Sequence, residues 1–201
     1  AMQELYERYK VLTYPRTDSR VITSDIVPTL KDRIKECGVD EYAAFANKLI
    51  NKTLRLPRSV VNDKQVTDHH AIIPTEEAVH LSELGNNERK IYDLVIKRFL
   101  AVLSDPYEYE ETRITATVNN ETFTARENVT LNLGWKEIYG EKKTSNASKV
   151  NQGQAVNASY TITEGETKPP ERLTEGALLK AMENPTRYME NIGKKLTKTL
   201  Q

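Results

Sequence analysis

Residues 86–118 read NNERKIYDLVIKRFLAVLSDPYEYEETRITATV, and a change of rhythm inside them decides the fold. In the first half, Ile91, Leu94, Val95, Arg98, Phe99 and Val102 recur at helical spacing, opened by the N-cap candidates Asn86 and Asn87. After the Asp105-Pro106 break, Ile114, Ala116 and Val118 fall on alternate positions. Successive side chains of a strand point to opposite faces, so this two-residue period predicts β structure. The expected class is therefore α+β, helical before residue 105 and built of strands after it.

Working outward from the break, the upstream chain keeps the helical period. Ile26, Leu30, Ile34 and Cys37 make one stripe, with Ser24 or Asp25 as N-cap and Gly38 as the stop, and Tyr42, Phe45, Ala46, Leu49 and Ile50 make another. Downstream, Phe123 and Ala125 continue the alternation, Trp135 to Tyr139 extends it, and Ala155 to Thr163 reads as a last strand. Asn119-Asn120 and Leu133-Gly134 supply turns, and Glu141 to Gln154 a long polar loop. Lys168-Pro169-Pro170 reads as a stiff hinge, after which Thr174 caps a helix carrying Leu178, Leu179 and Met182. The expected organisation is a helical domain over 1–104, a β-segment over 105–169 and the start of a further helical domain over 170–201.

Composition narrows the function classes. The 201 residues hold 29 Lys plus Arg against 29 Asp plus Glu, so no global charge attracts nucleic acid. With 38% apolar and 29% charged residues the chain has the makeup of a globular protein, not a disordered one. A single cysteine, Cys37, cannot close an internal disulfide. No leader and no apolar run of about 18 residues marks a secretion signal or membrane span, so a reducing, cytoplasmic setting is expected. The neutral total hides local bias: Lys48, Lys52, Arg55, Arg58 and Lys64 face only Asp63, and Arg187, Lys194, Lys195 and Lys198 face only Glu190. Conversely, Asp105 to Lys168 carries ten acids against seven bases. A solvated helix face and a nucleic-acid stripe both fit the basic runs. No GxxxxGK[ST] loop, dinucleotide-binding glycine fingerprint or CxxC spacing occurs, which argues against a nucleotide-driven motor.

The densest run of reactive side chains is Thr13-Tyr14-Pro15-Arg16-Thr17-Asp18-Ser19-Arg20. Pro15 fixes its own φ and pushes Tyr14 toward an extended conformation, which excludes a helix interior. In an extended segment Tyr14, Arg16 and Asp18 project from one side, so a phosphate held by Arg16 lies beside the tyrosine hydroxyl. That is an arrangement for attack on phosphorus. An ordinary phenol is ionised to only about one part in a thousand at pH 7, so such an attack needs cations or a base beside it. A solvated polar turn is the competing reading. The second cluster is Asp68-His69-His70-Ala71-Ile72-Ile73-Pro74-Thr75. His69 as a donor to phosphate, Asp68 with a histidine as metal ligands, and a surface histidine pair without a role all fit it. The Asp-His-His triplet also occurs in metal-dependent phosphoesterases, but those need further Asp-rich motifs upstream, where the aspartates, Asp18 and Asp25 among them, stand singly.

Read together, three segments resemble the type IA DNA topoisomerases, and most closely their topoisomerase III branch. Val11-Leu12-Thr13-Tyr14-Pro15-Arg16-Thr17-Asp18-Ser19-Arg20 resembles the active-site tyrosine signature, and His69-His70-Ala71-Ile72-Ile73-Pro74-Thr75 the motif whose first histidine contacts the scissile phosphate. Arg172-Leu173-Thr174-Glu175-Gly176-Ala177-Leu178-Leu179-Lys180-Ala181-Met182-Glu183 resembles the return to the helical DNA-binding domain, with Gly176 where a bulkier residue is commoner. The similarity covers nearly the whole chain.

The resemblance implies part of a toroidal fold: a helical tyrosine domain, an antiparallel β-arch segment and a short helical tail, cut from the middle of a larger enzyme, with Ala1 as a cloning remnant. It implies that Tyr14 attacks a phosphodiester of one DNA strand and holds it as a 5′-phosphotyrosyl ester, which needs no ATP to reseal. Arg16 and His69 would engage the scissile phosphate. Thr17, Asp18, Ser19, Arg20 and Arg172 would contact the single strand or the backbone around it, Asp18 by orienting Arg16, and His70 would pack behind. Mg2+ would sit in an acidic domain outside this chain, so no metal site is expected within it and the chain alone would be inactive. Half an arch would leave strand edges open, through which copies could associate. A non-catalytic module that grips single strands is the alternative from another class.

Overall fold

The computed structural model describes residues 1–144, 148–155, 157, 159, 161–183 and 185. The basic run at Arg187, Lys194, Lys195 and Lys198, with Glu190, lies outside the described residues. The chain divides into two compact units, Ala1–Gln152 and Gly153–Gln201.

In the first unit four α-helices, α1 (Met2–Glu7), α2 (Leu30–Cys37), α3 (Ala43–Ile50) and α4 (Asn86–Leu103), precede a hairpin of β1 (Glu108–Val118) and β2 (Glu121–Asn132). The class is α+β, as expected. Tyr92, Ile96, Phe99, Leu100 and Leu103 of α4 form the centre of the core, against Leu5, Leu12, Leu30, Ile34, Cys37, Tyr42 and Leu49. Full burial of an aliphatic side chain such as Ile96 contributes about 1.5–3 kcal/mol.

The buried face of α4 is rotated by one residue from the stripe read in the sequence. Leu94 is 67% exposed and Arg98 is exposed, whereas Tyr92 and Ile96 are buried. The helix is apolar over more of its circumference than one neighbour can cover, and the expected stripe contained a charge, Arg98, that the core rejects. The N-cap is Gly85, so Asn86 opens the helix as its first residue. In the same way Ser24 to Thr29 form a 3₁₀ turn before α2, and Ser24 hydrogen-bonds Asp63 (2.7 and 2.9 Å) instead of capping the helix.

β1 and β2 pair antiparallel, with Val118 opposite Glu121, and Asn119 and Asn120 both take positive φ (48° and 68°). Two left-handed residues make the turn whose twist matches that of the strands, and asparagine tolerates that region. The expected strand at Trp135–Tyr139 is instead a 3₁₀ helix, Gly134–Tyr139. Gly134 has φ +51° and lies so close to the Asp105 and Pro106 carbonyls that a Cβ would collide with them. The Trp135 amide then donates to Asp105 (2.9 Å), and Ile138, one 3₁₀ turn on, is buried. Of Ala155 to Thr163, the described residues belong to no strand, and 156, 158 and 160 lie outside them.

In the second unit, Thr174 caps α5 (Glu175–Glu183) as expected, its hydroxyl accepting from the Ala177 amide (3.2 Å).

Candidate active site

The tyrosine segment and the histidine segment are sewn together by backbone hydrogen bonds. Leu12 pairs with Pro74 in an antiparallel bridge, Thr13 N donates to Ile73 O (3.0 Å), and Thr75 N to Val11 O (3.2 Å). The Thr13 hydroxyl accepts from Ile73 N (3.0 Å) and the Thr75 hydroxyl donates to Lys10 O (2.6 Å). Further along, Ala71 N donates to Val21 O (2.9 Å), and Ile22 is bonded to Val60 and Asn62 on its other side. Buried Val11, Leu12, Val21, Ile22 and Ile73 press this lattice into the helical core, so the loop between residues 12 and 22 is held at both ends.

Within that frame Tyr14 is half-buried between two rings. Its centroid lies 4.3 Å from that of His69, tilted by 43°, and 5.4 Å from that of Tyr6, edge-on at 78°. Thr17 donates to the His69 carbonyl (2.8 Å), which fixes the backbone that carries the imidazole. Ser19 donates through its amide to Thr17 Oγ1 (3.0 Å) and through its hydroxyl to Val21 O (2.9 Å), closing a local turn. The hydroxyls expected to contact DNA at Thr17 and Ser19 are thus engaged in holding the loop. His70 is half-buried, and its Nδ1–H donates to the Ala71 carbonyl (2.7 Å).

Arg16 and Asp18 are exposed, and among the described residues neither makes a hydrogen bond or ion pair. The expected orientation of Arg16 by Asp18 is therefore not present, and a guanidinium without a partner is open to an anion. Arg16, Thr17 and Asp18 share a hollow of about 400 Å³ with Thr67, Asp68 and His69. Tyr14 opens on a neighbouring cleft of about 740 Å³ together with Tyr6, Glu7, Lys10 and Glu76. Tyr14 thus lines one and His69 the other, with their rings in contact between them. Arg172 is exposed in the coil before α5, in the second unit.

One organising residue escaped the sequence reading. Arg33 of α2 is only 7% exposed; it donates to the Pro74 carbonyl (2.8 Å) and to Thr29 Oγ1 (2.8 Å) and pairs with Glu76 (2.8 Å). Burial pulls its pKa down, and Glu76 opposes that pull. The guanidinium thereby ties α2 to the end of the histidine segment. The available signal was its position between Leu30 and Ile34, on the stripe facing the core.

Among the described residues no three His, Cys, Asp or Glu side chains gather as metal ligands, Asp68, His69 and His70 included.

Residues 1–199 match the family model described as DNA topoisomerase. The chain belongs to the type IA DNA topoisomerases. Within that family it is similar to DNA topoisomerase 3 of Bacillus licheniformis, 48% identical over 208 residues, covering 99% of this chain and 29% of the relative. DNA topoisomerase 3 of Bacillus subtilis is 46% identical over 209 residues, with the same coverage of both chains. In three dimensions the chain resembles full-length topoisomerase I from Thermotoga maritima, with a TM-score of 0.61 at 26% identity, over 90% of this chain and 30% of that one. The chain therefore spans less than a third of the length of these relatives.

Proposed function

We propose that the chain is the tyrosine-bearing portion of an ATP-independent enzyme that cuts one DNA strand, lets another strand pass and reseals the cut. The observation that carries this reading is the meeting of Tyr14 and His69, rings 4.3 Å apart, with Arg16, which has no partner among the described residues, in the hollow that His69 lines. The Tyr14 oxygen attacks phosphorus and the bond from phosphorus to the 3′ oxygen breaks. The tyrosine proton ends on that 3′ oxygen, and the strand remains as a 5′-phosphotyrosyl ester. The ester keeps the energy of the broken linkage, so the reverse attack by the 3′ hydroxyl reseals the strand without ATP. Arg16 neutralises charge on the phosphate oxygens as the transition state forms, and a protonated His69 nitrogen donates to the same phosphate. Thr17 and Ser19 hold the loop, Asp18 and Arg20 border the strand, and Arg172 grips it from the helical tail.

On this reading residues 1–104 are the tyrosine domain, 105–169 half of an arch and 170–201 the start of a DNA-binding domain. Mg2+ belongs to an acidic portion of the longer protein, which acts in the cytoplasm at the nucleoid. Alone, the chain is inactive. The test supplies that acidic portion in trans with Mg2+ and a single-stranded oligonucleotide, then looks for protein-linked DNA after denaturation. A covalent product that Tyr14→Phe abolishes is expected. If wild type gives none while salt-sensitive binding persists, the chain is a single-strand binding module and the nucleophile assignment fails.

A further inference from the structure

The basic run Lys48 to Lys64 is not absorbed by the site around Tyr14, and the fold splits it in two. Lys48 is neutralised by Glu137 (2.8 Å) and Lys52 by Asp105 (2.8 Å). Arg55 has no hydrogen-bond or ion-pair partner among the described residues, and neither has Arg98, the residue that α4 turns away from the core. Both guanidiniums line one open groove of about 380 Å³, whose walls include Pro57, Pro106 and Trp135. Trp135 is 36% exposed and packed on one neighbouring ring. Its amide is bonded to Asp105 (2.9 Å), and its ring meets that of Tyr139 edge-on, 5.9 Å away.

Arg98 also lines a second hollow, about 320 Å³, that extends past Leu94 and Val95 to Ile72 and to Arg20 of the tyrosine loop. The groove is therefore continuous, through Ser59, Val60, Arg98 and Val102, which line both hollows, with the segments that carry Tyr14 and His69. Two guanidiniums without carboxylates suit phosphates, which they bind with forked donors. An indole in the same groove suits a base, and only an unpaired base offers a free face to stack on it.

We propose that the Arg55–Arg98–Trp135 groove is a second nucleic-acid subsite, holding an unpaired DNA strand by two phosphates and one stacked base away from the cleavage point. The choice of DNA rests on the function proposed above; the demand for linked phosphates and an unpaired base comes from the groove itself.

Trp135 is the only tryptophan in the chain, so its fluorescence reports on this groove alone. The 201-residue protein is titrated with 5′-labelled oligo-dT, and indole emission and label anisotropy are read on the same samples. The expected result is quenching of Trp135 with the same midpoint as the anisotropy rise, retained in Tyr14→Phe. In Arg55→Gln/Arg98→Gln, with thermal unfolding unchanged, the salt slope of log K falls by about 1.4, two contacts at roughly 0.7 each. Binding without quenching would overturn the subsite and leave the proposed function standing. Equal quenching by blunt duplex, or tighter binding of oligo-rU than of oligo-dT, would overturn the assignment to unpaired DNA. Absence of any anisotropy change would overturn both readings.

Discussion

The helical part of the first unit and its hairpin are stabilised in opposite ways. Between Leu5 and Leu103, α2, α3 and α4 each bury a stripe, and Leu5, Leu30, Ile34, Ile96 and Leu100 are fully enclosed. In the hairpin, Phe123 and Leu131 are half-exposed or more, and the one residue of β1 or β2 that is buried is Thr130. The hairpin depends on its ladder, its turn and anchors at its base: Gly134 against Pro106, Thr130 bonded to Thr144 (3.1 Å, backbone), and Lys136 over the Tyr107 ring (4.2 Å). A lone two-stranded hairpin is marginal in water. The chemistry proposed here needs rings held to a fraction of an ångström, and those rings are mounted on the part with a core. The hairpin is the part able to bend.

The largest effect that would break this contrast is a cavity. Ile96→Ala in the centre of the core should cost about 2–5 kcal/mol in urea unfolding, whereas Leu131→Ala in the hairpin, at a side chain 57% exposed, should stay within about 0.5 kcal/mol. Comparable losses at the two positions would mean that the hairpin is buried against something in solution. Next in size is Arg33→Met, which leaves the Pro74 carbonyl without its buried donor. A loss of about 1–3 kcal/mol is expected. The yield of tyrosine-linked DNA should fall beyond the loss of folded protein, because Pro74 closes the histidine segment. A drop in stability with unchanged yield per folded molecule would separate Arg33 from the site.

Alkaline pH should weaken only the helical part. Burial in the core pushes the Cys37 thiol up to about 12 from an ordinary 9, and burial raises Tyr92 and Tyr42 as well, Tyr42 further by its bond to Asp93. An acid whose folded pKa is raised stays protonated in the folded chain while the unfolded chain loses its proton. Stability is therefore undiminished below pH about 9 and falls as pH rises above it. Urea midpoints between pH 8 and 11 should decline, less steeply in Cys37→Ala, while hairpin amide protection, corrected for global opening, should keep its value. An equal slope in Cys37→Ala would remove the thiol from the account.

How far the sequence could be read follows the same division. Short-range chemistry was legible: Asn119-Asn120 turned as its residue types require, Gly38 stopped α2, and Thr174 capped α5. Pattern alone failed where two periods overlap. Trp135 to Tyr139 alternates as a strand does, yet Trp135 and Ile138 also stand three apart, and the left-handed Gly134 with its close carbonyls selects the 3₁₀ helix. On α4 the apolar arc was too wide for spacing to say which half faces inward. The motifs containing Tyr14 and His69 were each visible, but no local rule joins segments so far apart in the chain. Their meeting depends on bonds such as Thr13 to Ile73 and on Arg33, whose significance lies in burial that a sequence does not display.

The smallest effect sharpens the contrast from the hairpin side. Asn119 and Asn120 both occupy the left-handed region, where glycine carries no Cβ penalty, and Asn-Gly is the preferred pair for this two-residue turn. Asn120→Gly should therefore stabilise the hairpin by a few tenths to about 1 kcal/mol, and Asn120→Val should destabilise it by about 1–2 kcal/mol, since a side chain branched at Cβ resists positive φ. The readout is hydrogen exchange at the paired amides of β1 and β2, compared with the amides of α4. If the hairpin opens on its own, both substitutions move the β amides and leave α4 protection unchanged. If α4 follows in step, the hairpin and the helical core unfold as one unit, and the division between a rigid chemical part and a compliant arm is wrong.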